Sequence, residues 1–591
     1  MKYLLTAVTF LTIMTSAKPS VSYTLSMPQP QTHLLNVEVR IHDLPGMTVD
    51  LHMPAWRTGR YVLLDFAGGV QEFAATDANG KTLPFKKTDK DTWRIEKGKA
   101  TTVTATYRVY ANEFNMRTRE LNSEHAFVDP LAVFMYVNEL KDQPLTLTVR
   151  PFGDWKVTTG LDEVTGTPFT YRAPNFEYFG DCPLEIGNQK DAEFLVDGKR
   201  HIISIYGDGN WNIDTLISDF SRIVIANREL WGDLPYDKYV FMIHCQPNAG
   251  GGTEHINSTI MGVRPFIFSN PAAYKGFLGL VSHEFFHTWN VKQLRPRAIA
   301  PYDFSKENYT EELWVSEGTT SYYDDLLLLR AGFWDSKRYL ENINQMVNNE
   351  RARYGNKVQP LAEASFDAWV KFWRSKQNAA NAESDYYGKG SHVSLILDLE
   401  IRQRTKNASS LDDVLRTMYR RFPKTKGFTN ADLQKVCEEI GGGSFKEFFA
   451  QYIYSTAPLP WEQSLSYAGL QVQPKDTVRK TGTGMTTQDA GDRTRISHIA
   501  PGSPAERAGF EINDEIAALN GYRVRTADIT ERIASMAAGE RVTFLIFRND
   551  KVKEITFTLE LFGNPSYIVT KTAAPTDLQR AIYEQWLGER W

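Results

Sequence analysis

Only three cysteines, Cys182, Cys245 and Cys437, occur among 591 residues. That scarcity excludes a disulfide scaffold. At most one pair can form, with a thiol left over, and all three also suit a role as small buried hydrophobes. Their spacings are too wide for a cysteine-ligated zinc site. Neither charge is in surplus: 67 basic against 71 acidic residues give a net charge of −4. Such a balance offers no electrostatic footprint for nucleic acid or an anionic membrane surface. Beyond Met14 no apolar run is long enough to cross a bilayer of about 30 Å as a helix. Internal repeats and long low-complexity tracts are also missing.

What is present is an ordinary globular composition, 42% hydrophobic and 23% charged, in a chain too long for one hydrophobic core. The start is distinct. Lys2, the apolar run Tyr3 to Met14 and the small residues Thr15-Ser16-Ala17 read as a secretory signal peptide cut near Ala17. Export to a periplasm or the exterior follows as an expectation. Residues 18–192 read as β-structure of the sandwich type. Apolar and polar residues alternate from Leu35 to Ile41, from Thr101 to Val109 and from Leu145 to Val149, with turn signals such as Asn79-Gly80 between such runs. Tyr239 to Ile243 looks like a buried strand and Ala249 to Gly252 a Gly-rich loop. Helical patterns follow at 277–294, 312–331, 390–404 and 431–439. Ser455 to Trp461, with Pro458 and Pro460, reads as a linker. Short strands return at 495–499, 515–519 and 542–547 around a helix near 528–536. Residues 577–587 read as a short helix or a frayed tail.

The strongest chemical signal is His283-Glu284-Phe285-Phe286-His287. On a helix the two histidines share one face. Two imidazoles so placed can hold one Zn²⁺ ion at about 2.0–2.1 Å, with Glu284 beside them as general base for a water. The apolar neighbours Phe277, Leu280, Val281, Phe285, Phe286 and Trp289 allow this helix to be buried. A third ligand is needed. Glu317 is the best candidate, and Glu311, Glu312, Asp324 and Asp325 compete with it.

Here the residues meet a family. Trp314-Val-Ser-Glu-Gly-Thr-Thr-Ser-Tyr322 resembles the Trp-Leu-Asn-Glu-Gly-Phe-Ala-Ser-Tyr pattern of gluzincin aminopeptidases, whose Glu is the third zinc ligand. The string His283-Glu-Phe-Phe-His-Thr-Trp-Asn-Val-Lys-Gln-Leu-Arg-Pro296 is similar to the glycyl aminopeptidase family of PDZ-bearing metallopeptidases. Gly251-Gly252-Thr253-Glu254-His255 resembles a motif of those enzymes in which the Glu binds the free α-amino group of a peptide. A carboxylate near the metal pairs with an ammonium and sets how far a chain can enter. Tyr386-Tyr387-Gly388-Lys389-Gly390 resembles their Tyr-x-Lys-Gly segment, which aligns Tyr387 as oxyanion donor.

The carboxy-terminal stretch Ile496 to Phe510, continued by Asn513-Asp514-Glu515-Ile516 and Asn520-Gly521, resembles bacterial PDZ domains. Such domains add a peptide strand to a sheet edge and hold its terminal carboxylate on backbone N–H groups. The loop for that purpose falls near Gly482-Thr483-Gly484-Met485 and departs from the usual Gly-Leu-Gly-Phe.

The resemblance implies a multidomain α+β chain. Its parts are a signal peptide (1–17), an amino-terminal β domain (18–192), a thermolysin-like zinc domain (193–335), a helical part (336–458), a PDZ-like domain (465–562) and a tail (563–591). It implies one Zn²⁺ per chain on His283, His287 and Glu317, with catalysis by Glu284 and Tyr387. Glu254, Gly251 and Gly252 would bind a peptide with a free amino terminus, small first residues such as Gly or Ala being favoured. Two alternatives stand beside this aminopeptidase. One is an endopeptidase or dipeptidyl-type enzyme on the same zinc site. The other is an exported PDZ scaffold with an inactive peptidase domain.

Overall fold

A computed structural model describes residues 18–113, 115, 117–475, 481–563 and 565–591. The signal-like segment up to Ala17 lies outside the described residues. The chain forms two compact units. One holds the residues up to Arg57 and Leu64–Gln189; the other holds Thr58–Leu63 and Lys190–Trp591.

The first unit is β-rich. Its largest sheet has seven strands in the order 162–163, 170–173, 145–150, 20–26, 34–42, 102–110 and 70–77. All neighbours are antiparallel except Ser20–Ser26 and Leu145–Arg150, which run parallel. Leu35, Val37, Val39 and Ile41 are buried while Asn36, Glu38 and Arg40 turn away, as strict alternation requires. Smaller sheets of four and three strands complete the unit. The buried pair Arg57–Asp129, 2.7 Å apart, ties its interior.

The second unit begins with a five-stranded sheet in the order 190–196, 199–206, 238–245, 258–263 and 252–254. Its three inner strands are parallel. The middle one, Lys238–Cys245, is buried from Tyr239 on and, His244 apart, hydrophobic over that stretch, as suits a strand covered on both faces. The crossover between the first two parallel strands is the helix Ile213–Trp231, capped by the Asn212 side chain and ended by Gly232 in the left-handed region (φ 93°). The helix Pro271–Phe286 packs on the last two strands. Helices Thr320–Arg330, Ser336–Ala352, Gly388–Arg404, Leu411–Arg421 and Asn430–Gly441 follow. At their centre lies the buried Asp398, which accepts from Tyr322 Oη at 2.6 Å, Arg402 Nε at 3.1 Å and Leu411 N at 2.9 Å.

The PDZ domain has a sheet in the order 485–490, 493–499, 515–519, 541–548 and 551–558. Ile496, Phe510, Ile516, Ile529, Ile533, Val542, Phe544 and Ile546 belong to its core. Two further strands, Leu470–Pro474 before this sheet and Tyr567–Lys571 after it, pair with each other in a separate ribbon. Asn344 and Asn348 of the helix Ser336–Ala352 bond the backbone of the latter.

One local expectation is corrected and one alternative decided. Trp461 is no linker residue: it opens the helix Trp461–Ser466, is fully buried, and donates through Nε1 to Glu350 at 3.3 Å. Burying its indole outweighed the proline signals before it. Of the two readings of residues 577–587 the short helix is the one seen, docked with Ile582, Tyr583 and Trp586 fully buried. The three cysteines are buried, and none is in a disulfide.

Candidate metal centre and active site

Asn270 caps the helix Pro271–Phe286 by accepting from Ala272 N and Ala273 N, both at 3.1 Å, and Pro271 stands where its missing N–H costs nothing. The sequence pattern predicts that this helix runs to residue 294. It ends at Phe286, and His287 is its C-cap, still in α conformation (φ −60°, ψ −17°). The two imidazoles therefore keep one face, with ring centroids 4.8 Å apart at 85°. Phe285 points the other way, edge-on to Tyr239 at 4.9 Å, and anchors the helix on the sheet.

Each histidine is oriented through its Nδ1. His283 Nδ1 meets Asp324 Oδ2 at 2.9 Å, and His287 Nδ1 donates to Asn290 O at 2.7 Å. Both Nε2 atoms then face Glu317 Oε2, at 3.7 Å from His283 and 3.3 Å from His287. A tetrahedral ion about 2.0–2.1 Å from three donors separates them by about 3.3 Å. The three side chains thus fit a zinc ion, with both tautomers already set by the outer partners. Of the four rival carboxylates, Glu311 is exposed and the other three are engaged elsewhere. Glu312 accepts from Asn430 N at 3.0 Å, Asp325 from Asn342 at 2.7 Å, and Asp324 is the partner of His283.

Glu317 is buried on a π-helical turn, Trp314–Thr319, that opens into the helix Thr320–Arg330. Such turns recur at functional sites because the extra residue re-aims side chains. Glu284 and Glu254, each 5% exposed, share a second tight group with His287, their donor atoms lying within 4.8 Å of one another. Burial pushes the Glu284 carboxyl up to about 7, against the pull of the two imidazoles. Burial opposes an ionised Glu317 too, yet His287 and His283 hold it down to about 2.

Glycines admit these carboxylates. A Cβ on Gly252 would stand 2.6 Å from Glu284 Cδ, and one on Gly59 (φ 79°) 2.7 Å from Glu254 Oε2. Gly59 belongs to the loop Thr58–Leu63, which packs as part of the second unit. Its Tyr61 is 4% exposed and meets Trp369 edge-on at 5.6 Å. The Gly251 carbonyl accepts from Gly262 N at 2.9 Å, which holds the hairpin that carries Glu254. Tyr387 lies over His283, with ring centroids 6.3 Å apart at 22°, and stacks on Phe372 at 5.4 Å. Tyr386 accepts instead from Trp373 Nε1 at 3.0 Å.

All eight sequence-predicted site residues are thus neighbours of the two carboxylate–imidazole groups. Sequence reasoning missed the loop Thr58–Leu63 and the supporting parts played by Asp324 and Asn290. Gly59 carried no readable signal, since a lone glycine marks any turn. Asn290, three residues past the second histidine, could have been noticed by its spacing.

Residues 22–188 match the Peptidase M61 N-terminal domain, residues 276–393 the M61 glycyl aminopeptidase domain and residues 469–559 the PDZ domain. Two of these three matches are thus to M61 peptidase domains, on either side of the described site's sheet, and the third is to a PDZ domain. The chain is built as a zinc metallopeptidase with a PDZ domain behind the peptidase. The crystal structure of an aminopeptidase N family protein from Idiomarina loihiensis superposes with a TM-score of 0.89 at 27% identity, covering 96% of this chain and 100% of that one. Among curated proteins, a "Probable periplasmic serine endoprotease DegP-like" of Marinomonas sp. is 27% identical over 110 residues. A "Probable periplasmic serine protease do/HhoA-like" of Haemophilus influenzae is 31% identical over 81 residues. These two matches span 18% and 14% of this chain, and only 23% and 17% of the relatives themselves.

Proposed function

We propose that this protein is a zinc aminopeptidase that hydrolyses the first peptide bond of peptides with a free amino terminus. The observation that carries this reading is Glu254. Its carboxylate is buried beside Glu284 and His287, yet it makes no hydrogen bond or ion pair with the described residues. A buried carboxylate without a partner is costly, and a substrate ammonium is the natural group to complete it.

In this mechanism His283, His287 and Glu317 would hold the zinc. The ion, when bound, supplies Lewis acidity that polarises the scissile carbonyl and makes a water more acidic. Glu284 takes the proton of the attacking water and returns it to the leaving amine. The Tyr387 hydroxyl donates to the carbonyl oxygen as charge grows on it. Glu254 grips the ammonium and so allows only one residue on its side of the cut. Gly252 lets the substrate backbone approach Glu284. A preference for small first residues, Gly or Ala, is part of the proposal. The buried Tyr61, close enough to Glu317 and Glu254 to feel their charge, is a bulky side chain near the site that accords with it. Export also belongs to this reading, supported by the signal-like start and by relatives whose names place them in the periplasm. No described helix is long and apolar enough to cross a membrane.

The test is hydrolysis of amino-acid p-nitroanilides, free and N-acetylated, with bound zinc measured in the same preparation. Cleavage of Gly and Ala substrates only when the amine is free, with about one zinc per chain, is expected. Equal cleavage of the acetylated set would remove Glu254 as anchor and favour an endopeptidase. A folded protein with neither zinc nor turnover would leave the PDZ scaffold.

A further inference from the structure

Asn290 is fully buried, and its two halves face different ligands of the proposed metal. Its main-chain carbonyl accepts from His287 Nδ1 at 2.7 Å. Its side-chain Nδ2 donates to Val315 O at 2.8 Å, with Thr320 Oγ1 at 3.1 Å and Ser316 O at 3.4 Å. Val315 and Ser316 belong to the π-helical turn that carries Glu317, and Thr320 is its C-cap. Thr320 Oγ1 in turn donates to Ser316 O at 2.7 Å.

The orientation of this amide follows from its surroundings. Two of the neighbours are carbonyls, which can only accept, so the NH₂ group must point at them. Oδ1 is then left buried with no hydrogen-bond partner. An unsatisfied buried acceptor carries a desolvation cost that an apolar side chain of the same size would avoid. Only the donor side repays the presence of an amide here. It braces a π turn, a rare conformation that occurs mostly as single turns inside α-helices.

We propose that Asn290 is a positioning residue that fixes the spacing between His287 and Glu317, steering the one through its backbone and clamping the turn of the other through its side chain. It touches neither metal nor substrate. Asp324 does the corresponding work for His283 alone, whereas Asn290 joins two ligands that come from helices 30 residues apart in sequence (His287 to Glu317). Outer partners of this kind set metal affinity as well as geometry. The inference rests on the zinc reading of the site.

The experiment uses the full-length protein and two near-isosteric variants, Asn290→Leu and Thr320→Val. The zinc dissociation constant is measured by competition with a chelator. The visible absorption of the Co²⁺-substituted protein and the thermal midpoint of the metal-free protein are recorded beside it. For Asn290→Leu zinc binding is expected to weaken about 10–100-fold, with altered Co²⁺ bands. Thr320→Val should move both readings the same way by less, and the double variant should fall short of the sum. A dissociation constant unchanged within about twofold and unaltered Co²⁺ bands, whatever happens to the thermal midpoint, would overturn the proposal and leave the zinc reading standing. If Asn290→Leu does not fold, Thr320→Val decides by the same criteria. Failure of the unsubstituted, folded protein to bind zinc would overturn both.

Discussion

Gly318 and Gly390 meet backbone to backbone. A Cβ on Gly318 would stand 2.5 Å from Gly390 Cα and 2.6 Å from Tyr386 O, and one on Gly390 would stand 2.8 Å from Trp314 O. The turn of Glu317 and the helix start of Tyr387 therefore touch without side chains between them, and Thr319 Oγ1 and Ser394 Oγ bond across the same seam at 2.9 Å. Gly318→Ala should push the two apart. A loss of about 1–3 kcal/mol in stability is expected from overpacking, together with weaker zinc binding. Denaturation and chelator competition on one preparation check both. Unchanged zinc affinity would mean that the crossing serves packing only.

Gly59 bears on a different group. Gly59→Ala would strain a left-handed residue and crowd the Glu254 carboxylate. Glu254→Gln would keep the shape and remove the charge. Both should lower kcat/KM for free-amine substrates about 10–100-fold, the worth of one charge-assisted hydrogen bond, with zinc content unaltered. Kinetics on free and N-acetylated p-nitroanilides read this directly. An unaffected kcat/KM for Glu254→Gln would refute the anchor.

Glu284→Gln should keep its zinc, because Glu284 stands outside the group formed by His283, His287 and Glu317. Its kcat is expected to fall about 10²–10⁴-fold, the usual worth of a general base. Metal analysis and turnover measured together separate this from loss of the ion.

His201 gives a pH dependence. Burial lowers its pKa to about 4, and its ring sits between Tyr236 Oη at 2.9 Å and Lys199 O at 3.1 Å, stacked on Phe194. A folded pKa below the unfolded value of about 6.5 means that the unfolded chain takes up the proton first. The stability contributed by neutral His201 is therefore complete above about pH 6.5 and is lost as pH falls towards 4. Between pH 7 and 4.5 the loss amounts to about 2 kcal/mol. His201→Phe, which keeps the stacking, should show a smaller drop in urea midpoint over that interval than the parent protein. An equal drop would assign the acid sensitivity to other groups.

The parts of the site that were legible in the sequence are those whose chemistry depends on local spacing. His283, Glu284 and His287 lie within one helical turn and its cap, so their common face follows from helical geometry. Strands such as Leu34–His42 were visible because one face is buried and the other is not. What stayed hidden depends on contacts between distant segments. The pairing of Asn290 with Val315, the approach of Gly318 to Gly390 and the abutment of Gly59 on Glu254 leave no periodic trace. The helix end at Phe286 was misread because the apolar pattern continues through Trp289, Val291 and Leu294, all buried although the chain there runs in tight turns.

The helix Asp577–Leu587 reaches back across the chain. Trp586 Nε1 donates to Tyr322 Oη at 3.0 Å, across 264 positions of sequence, and that hydroxyl in turn bonds the buried Asp398. The stretches on either side of the PDZ domain thus share one packed interior, and a segment supplied after that domain shuts the polar centre that backs the helix following Glu317.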